Sequence, residues 1–276
     1  MRSRKFVFVL GLVVFGALGL MLLGCSSDDT PTSRSTTNPD YTLVVNEVNK
    51  LVDTSLSLVG QRLILVSLGN QQDSFQKLPD ILMSTFGIDS VTQGDGWLVM
   101  YDADLGAAYS NYYLDSIQFR DGQAILPTGV GADRMTVKRY WKQTTLDTTQ
   151  SFTNYDMVGQ FTFTGVNTSQ INVNATMTFG VESKDDGVVS TIYRNCNITG
   201  SMSSLAVSPG GSGSSSGCPT SGSCQVTVGL ETQRDSHLAD ESEWEIMLSF
   251  EAGMASAVVT SATLDTTYTQ EFCSFE

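Results

Sequence analysis

The sequence predicts a mainly β protein, a large curved antiparallel meander sheet or open half-barrel with an N-terminal amphipathic helix packed on it. Apolar residues recur at helical spacing between Tyr41 and Leu68, and they alternate with polar residues after Gly94. Mainly short links join the alternating runs. Strands with one buried and one solvated face are typical of antiparallel sheets. About nine or ten such strands predict a sheet wide enough to curl.

The predicted helix has one apolar stripe. The residues of this stripe are separated by three, four or seven positions, or are adjacent, and they are Val44, Val48, Leu51, Val52, Val59 and Leu63. Gly60 weakens the middle of the segment and leaves open a split into two helices. The polar face is not rich in Lys or Arg, which favours packing on the protein's own sheet over binding to a membrane surface. Leu78–Phe86 predicts a second short helix.

The strand predictions follow the chain in order. They are Trp97–Leu105, Tyr109–Phe119, Arg134–Trp141, Val158–Val166, Ile171–Glu182, Val188–Asn195, Ile198–Val207, Cys224–Glu231, Glu243–Glu251 and Ala257–Phe272. Asp185-Asp186-Gly187 predicts a hairpin turn, and Ala252–Met254 predicts a short turn. Ser208–Ser223 is a long Gly/Ser-rich flap.

The N-terminus has the organisation of an export signal. Met1–Lys5 is basic, Phe6–Gly24 is almost wholly apolar, and the apolar run ends at Cys25. The length of the run fits either a cleaved leader or a membrane-spanning helix. Its end, Leu22-Leu23-Gly24-Cys25, resembles the lipobox of bacterial lipoproteins. The resemblance implies cleavage before Cys25 and acylation of that cysteine, and several acyl chains anchor a protein without a transmembrane helix.

The same resemblance implies a location and domain boundaries. Ser26 stands where many lipoproteins of the inner membrane have aspartate, which favours an outer-membrane anchor with the domain facing the periplasm or the cell surface. Residues 1–24 are then a cleaved signal peptide, 25–40 a lipid-anchored flexible tether and 41–276 a single β-rich domain. As a coil the tether spans about 20 Å. The membrane is thus an expected partner, through the N-terminal lipid.

The charge of the chain argues against some partners. All three basic residues of the leader precede Cys25, so the mature part has 12 basic and 29 acidic residues, a formal charge of −17. Such a field repels phosphate backbones and anionic head groups. We therefore expect no nucleic-acid partner, and we read the acidity as a source of solubility.

Four cysteines follow Cys25. An even number in an exported domain predicts two disulfides, for which three pairings exist. We favour Cys218–Cys224, which closes a tight loop, and Cys196–Cys273, which ties the C-terminus to a middle strand. A zinc site fits less well, because the C-x₂-C spacing is absent and the chain has a single histidine.

No catalytic pattern is convincing. The candidates considered are His237, the G-x-S-x-G match at 213–217, a calcium site from Asp102, Asp104 and Asp115, and the strand-face acids Glu243, Glu245 and Glu251. An isolated turn histidine lacks a nucleophile and an orienting partner, and low-complexity Gly/Ser sequence produces such serine motifs freely. We predict no catalytic residue, no metal and no cofactor.

The one local inversion of charge lies at residues 134–142. Arg134, Lys138 and Arg139, with Trp141 beside them, are candidate contacts for an anionic ligand, although basic residues on a strand edge also prevent edge-to-edge pairing. The tyrosines 109, 112 and 113 divide between two strand faces, so at most part of the trio forms a platform.

These observations favour a non-enzymatic structural or binding domain anchored to the outer membrane. One alternative is a carrier or receptor for a hydrophobic ligand held between helix and curved sheet, which in outline resembles the half-barrels of lipoprotein carriers. A second, less favoured alternative is a carboxylate-dependent hydrolase.

Overall fold

The computed structural model describes residues 39–69, 83, 88–127, 129–149, 151–207 and 218–272. The elements are α1 (Pro39–Gly69), β1 (Ser90–Gly94), β2 (Trp97–Leu105), β3 (Tyr109–Asp121), β4 (Ala124–Leu126), β5 (Arg134–Thr145), β6 (Phe152–Thr164), β7 (Ile171–Asp186), β8 (Thr191–Val207), β9 (Pro219–Arg234), β10 (Asp240–Glu251), β11 (Met254–Ser261) and β12 (Asp265–Glu271). The predicted fold class is confirmed: a mainly β structure with one large open antiparallel sheet and a helix at its N-terminal end. All described residues fall within one compact unit, Ser33–Glu276.

The sheet is a meander of 12 strands. Its order is β1-β2-β3-β5-β6-β7-β8-β9-β10-β11-β12, and β4 pairs with β3 beside this path. Every pairing is antiparallel. The path begins at β1 and ends at β12, so the sheet remains open between these two edges.

Alternation along the strands gives the sheet two different faces. We call the face that contacts α1 the inner face and the opposite one the outer face. Phe161, Phe179 and Val226 are fully or almost fully buried on the inner face. Within each of these strands, the residues that alternate with the buried ones are mostly exposed. The period of two read from the sequence therefore positions the core.

The helix is continuous through Gly60, which is buried. Packing on the sheet outweighs the roughly 1 kcal/mol helix-propensity cost of a glycine. The exposed side chains of α1 form one narrow stripe, comprising Thr42, Asn46, Asp53, Ser57 and Gln61. The helix thus buries most of its circumference. At Gly200 an added Cβ would lie 3.5 Å from Cδ2 of Leu51, an ordinary contact distance, so α1 packs directly over the backbone of β8 there.

Polar contacts fix the direction in which the helix crosses the sheet. Asn49 accepts a 2.9 Å hydrogen bond from the Tyr268 hydroxyl on β12. Thirteen residues further along α1, Arg62 donates to Asp115 on β3. The helix therefore runs across the inner face from the β12 side towards the β3 side.

Several strand boundaries differ from the prediction. Val188–Asn195 and Ile198–Val207 belong to a single strand, β8, which begins at Thr191. Ala257–Phe272 instead contains two strands, because a tight turn between Ser261 and Leu264 reverses the chain, with a 2.8 Å backbone hydrogen bond. That turn contains neither glycine nor proline, the residues that most strongly mark turns, so the pattern of the sequence did not predict it.

Two short hairpins depend on left-handed backbone. Asp95-Gly96 joins β1 to β2, with φ of 52° and 75°. Ala252-Gly253 joins β10 to β11, with φ of 49° and 83°, as in a type I′ turn. The prediction missed β1, although Asp-Gly is a strong hairpin signal, because the run before it is only five residues long.

Other loop predictions have mixed outcomes. A hairpin does follow β7, but its loop is 187–190 and not the predicted Asp185-Asp186-Gly187, because Asp185 and Asp186 still pair with β8. The flap at Ser208–Ser223 is shorter than predicted, since β9 already begins at Pro219, and residues 208–217 lie outside the described ones. The predicted helix Leu78–Phe86 also lies outside the described residues, apart from Met83.

Candidate functional site

The basic cluster predicted on β5 divides between the two faces of the sheet. Arg134 and Lys138 are exposed on the outer face. Arg139 and Trp141 are buried on the inner face, where they are 7% and 6% exposed. The structure therefore does not bring the four together, because adjacent strand residues point in opposite directions.

On the outer face Lys142 joins the two exposed residues, and we call Arg134, Lys138 and Lys142 the basic patch. The Lys138 ammonium nitrogen lies 4.8 Å from the centroid of the Trp97 ring on β2. A cation at this distance from an indole is attracted to its face. The ring thus holds Lys138 over the β2–β5 part of the outer face.

A row of tyrosines lies beside the basic patch. The rings of Tyr101 and Tyr112 are 5.3 Å apart, and those of Tyr112 and Tyr140 are 5.5 Å apart. Both pairs meet at 70°, in the edge-to-face arrangement that aromatic rings prefer. Only Tyr112 of the predicted trio belongs to this row, since Tyr113 lies on the inner face.

A groove of about 670 Å³ crosses the outer face from β3 to β8. The outer-face side chains that line it are Leu114, Ser116, Lys138, Tyr140, Val158, Gln160, Thr176, Thr178 and Thr199. Most of the exposed lining is apolar, and hydroxyl groups, one amide and one ammonium group lie among the aliphatic and aromatic side chains. Such a lining favours an elongated ligand that combines apolar faces with hydroxyl groups and negative charge.

The far half of the outer face is acidic. Its exposed carboxylates on β9 to β12 are Glu231, Glu241, Glu243, Glu245, Glu251, Asp265 and Glu271. The prediction that Glu243, Glu245 and Glu251 point away from the core is confirmed. The acidic part of the outer face therefore lies on β9 to β12, whereas β5 carries the basic patch, in which Lys142 lies opposite the exposed carboxylate of Asp156 on β6.

The inner face holds a buried ion cluster, which we call the triad. Arg139 donates to Asp115 through Nε at 2.8 Å and Nη2 at 2.7 Å, and Arg62 Nη2 donates to the same carboxylate. Burial raises the pKa of Asp115, but the hydrogen bonds and charges of both arginines outweigh burial and hold that pKa below its usual value. Asp115 is thus ionised, and both of its carboxylate oxygens accept hydrogen bonds from the arginines. It is therefore not available to a calcium ion.

Next to the triad the inner-face rings stack. Tyr113, Trp141, Tyr155 and Phe179 contact one another with centroids 5.7–6.1 Å apart and nearly parallel planes. Lys50 of α1 places its ammonium nitrogen 3.4 Å from the centroid of Tyr155. Burial, with the nearby charge of Glu47, raises the pKa of Tyr155 to about 12. These groups join the helix to the sheet.

Both predicted disulfide pairings are wrong. Cys196 and Cys224 are free and buried on the inner face. Cross-strand register explains the difference, because Cys196 lies opposite Leu230, while Cys224 lies opposite Met202 and Leu248. Burial raises the pKa of each thiol to about 12, with a contribution from Glu47 at Cys196. Cys218 is disulfide-bonded, to a partner outside the described residues.

The remaining chemical candidates do not assemble. His237 is exposed in a turn, where its Nδ1 lies 3.0 Å from the Arg234 carbonyl. Asp102 and Asp104 lie at the end of β2, and within the described ranges no three His, Cys, Asp or Glu side chains converge as a metal site requires. The serine motif at 213–217 lies outside the described residues.

Comparison with known proteins adds no family. No protein-family model, curated protein or solved structure matches the chain. The part of the chain that the structure describes contains no helix with the length and apolarity needed to cross a membrane.

Sequence reasoning missed Arg62, Trp97 and Tyr101. One signal for Arg62 was present, because the residue falls on the apolar stripe of α1, beside Val59 and Leu63. A charge on such a stripe indicates a buried partner. The contacts of Trp97 and Tyr101 could not be predicted from the sequence. The strand that contains both residues was predicted, but the side chains on the neighbouring strands were not known.

Proposed function

We propose that the protein is an outer-membrane lipoprotein, anchored through acylated Cys25, whose domain is non-enzymatic and binds an anionic glycan along the outer-face groove. The observation that carries the proposal is the meeting of three features on one surface. These are the basic patch, the tyrosine row and the groove of about 670 Å³.

The recognition chemistry follows from the lining. A sugar carboxylate accepts a charge-assisted hydrogen bond from Lys138, a bond worth about 1.5–3 kcal/mol. The half-buried ring of Tyr140 offers apolar contact to a sugar, and the hydroxyls of Thr176, Thr178 and Thr199 exchange hydrogen bonds with the sugar hydroxyls. The flanking acidic half repels the same chain and so limits it to the β3–β8 region.

The packing beneath the sheet favours this surface over a cavity for a hydrophobic ligand. The sheet-facing side chains Val44, Val48, Leu51 and Val59 of α1 have no solvent exposure. A hydrophobic ligand would have to displace contacts that already exist there. The outer face needs no such rearrangement.

The anchor is tested by metabolic labelling. In cells fed radioactive palmitate, we expect the protein to be labelled and to fractionate with the outer membrane. A Cys25→Ala variant should lose the label, while a Cys196→Ala variant, altered at a buried thiol, should keep it. Equal labelling of the wild type and Cys25→Ala would refute the anchor without touching the binding claim.

Binding is tested by calorimetric titration of the detergent-solubilised protein with an oligogalacturonate. The fully methyl-esterified oligomer is the matched neutral ligand. We expect Lys138→Ala to weaken binding of the acidic oligomer by about 10–100-fold, the loss of one charge-assisted bond. Lys184→Ala, on the same face at the end of β7, should not change affinity. Equal affinity for the acidic and esterified oligomers would contradict the proposal.

A further inference from the structure

The triad carries an unbalanced charge. Arg62 and Arg139 share the single carboxylate of Asp115, which leaves one net positive charge in the cluster. The exposed fractions of the three residues are 7%, 7% and 2%. Among the described residues no other acid pairs with either arginine. A surplus charge withdrawn from water is costly unless an opposite charge accompanies it.

One donor of the triad also lacks an acceptor. Arg62 Nε makes no hydrogen bond, although the residue is more than nine-tenths buried.

Native proteins rarely leave such donors unpaired, so each unpaired donor indicates a missing acceptor. Here the missing acceptor and the missing negative charge lie in the same region. Neither a neutral acceptor nor the face of an aromatic ring supplies both a hydrogen-bond acceptor and a negative charge. A bound anion does.

We propose that the triad is an anion-binding site, in which a small monovalent anion, a halide or a small carboxylate, accepts a hydrogen bond from Arg62 Nε and balances the triad's charge. The anion links α1 to β3 and β5, and its binding stabilises the docking of the helix on the inner face. This site is separate from the outer-face groove and does not depend on the proposed glycan binding.

Thermal unfolding at constant ionic strength tests the proposal. Bromide and formate are each titrated against gluconate, which is too large for a buried site. We expect a saturable rise in the Tm, of about 5–10 °C at about one hundred times Kd, with whichever anion fits. The bromide and formate arms distinguish a halide from a carboxylate occupant.

Two variants locate the effect. Arg62→Met removes the surplus charge and leaves the neutral Arg139–Asp115 pair, so its Tm should no longer respond to the anion. Arg234→Met removes an exposed charge at the end of β9, outside the groove and the triad, and should respond like the wild type. An equal response in Arg62→Met and the wild type would overturn the proposal.

Crystals of the wild type grown in bromide give an answer even if Arg62→Met fails to fold. An anomalous peak within hydrogen-bond reach of Arg62 Nε is the expected result for a halide site, and a formate molecule at the same place in formate-grown crystals is the expected result for a carboxylate site. Water alone at Arg62 Nε under both conditions would overturn the proposal.

Discussion

The two faces of the sheet differ in what their side chains do. On the inner face of β5, Arg139 and Trp141 are buried against α1 and the neighbouring strands, and their hydrogen bonds are complete apart from one donor atom, Trp141 Nε1. On the outer face of the same strand, Lys138 and Tyr140 border an open groove. Adjacent residues therefore differ in role: the inner ones contribute to stability, and in the proposed function the outer ones contact the ligand.

A basic cluster within one strand is therefore a mixed signal in the sequence. Its residues alternate between faces, and each face gives the same charge a different meaning. A buried arginine must be paired, whereas an exposed lysine is free to meet a ligand. Substitutions on one strand should accordingly fall into two classes with separable effects.

The largest expected effect comes from the triad. Asp115→Asn leaves two buried guanidinium groups without their carboxylate, and we expect a loss of about 3–5 kcal/mol in the free energy of unfolding. Urea denaturation followed by circular dichroism measures this. Asp104→Asn, at an exposed position on β2, is the matched control and should change stability by less than about 0.5 kcal/mol.

The same carboxylate gives a pH dependence with a defined sign. Because the folded pKa of Asp115 is lowered, its contribution is present above the unfolded pKa near about 4 and is lost as the pH falls through the folded value. Urea midpoints recorded from pH 6 to pH 2 should show a steeper fall for the wild type than for Asp115→Asn. Parallel curves would contradict the ionised triad.

The next effect separates neighbouring aromatic residues. Trp141→Ala removes a buried indole from the inner-face stack and should cost about 3–5 kcal/mol. Tyr140→Ala, one residue earlier on the outer face, should cost about 1 kcal/mol. Denaturation of both variants measures the ratio. Similar costs for the two would break the division between faces.

A smaller effect concerns the thiols. Burial and the raised pKa make Cys196 and Cys224 unreactive, so native protein should not react with iodoacetamide at pH 8. After unfolding without reductant, peptide mapping should find both of them alkylated and Cys218 unmodified. Alkylated Cys25 in the same map would indicate an unacylated anchor. If Cys196 or Cys224 remained unalkylated in the unfolded chain, that cysteine would be disulfide-bonded, as the sequence predicted.

The sequence was a good guide wherever one period governs local structure. The helical stripe of α1 and the alternation of β7 and β10 position their side chains as predicted. Contacts between residues far apart in the chain could not be predicted from the sequence. Arg62 and Asp115 are 53 residues apart and meet only because α1 crosses the sheet at that point.

The cysteines show the same limit. Counting four of them in an exported domain suggested two disulfides, but strand register decides which sulfurs meet. Cys196 and Cys224 each lie opposite an apolar side chain in the neighbouring strand, which no spacing in the sequence reveals.

The central claim, that ligand binds on the outer face, is tested most directly by tryptophan fluorescence. The chain has three tryptophans, of which Trp97 lies beneath Lys138 on the outer face, whereas Trp141 and Trp244 are buried on the inner face. We predict that oligogalacturonate changes the emission of the wild type and of Trp244→Phe, and that Trp97→Phe abolishes the change. A change that persists in Trp97→Phe and disappears in Trp244→Phe would contradict the account and favour a ligand between helix and sheet.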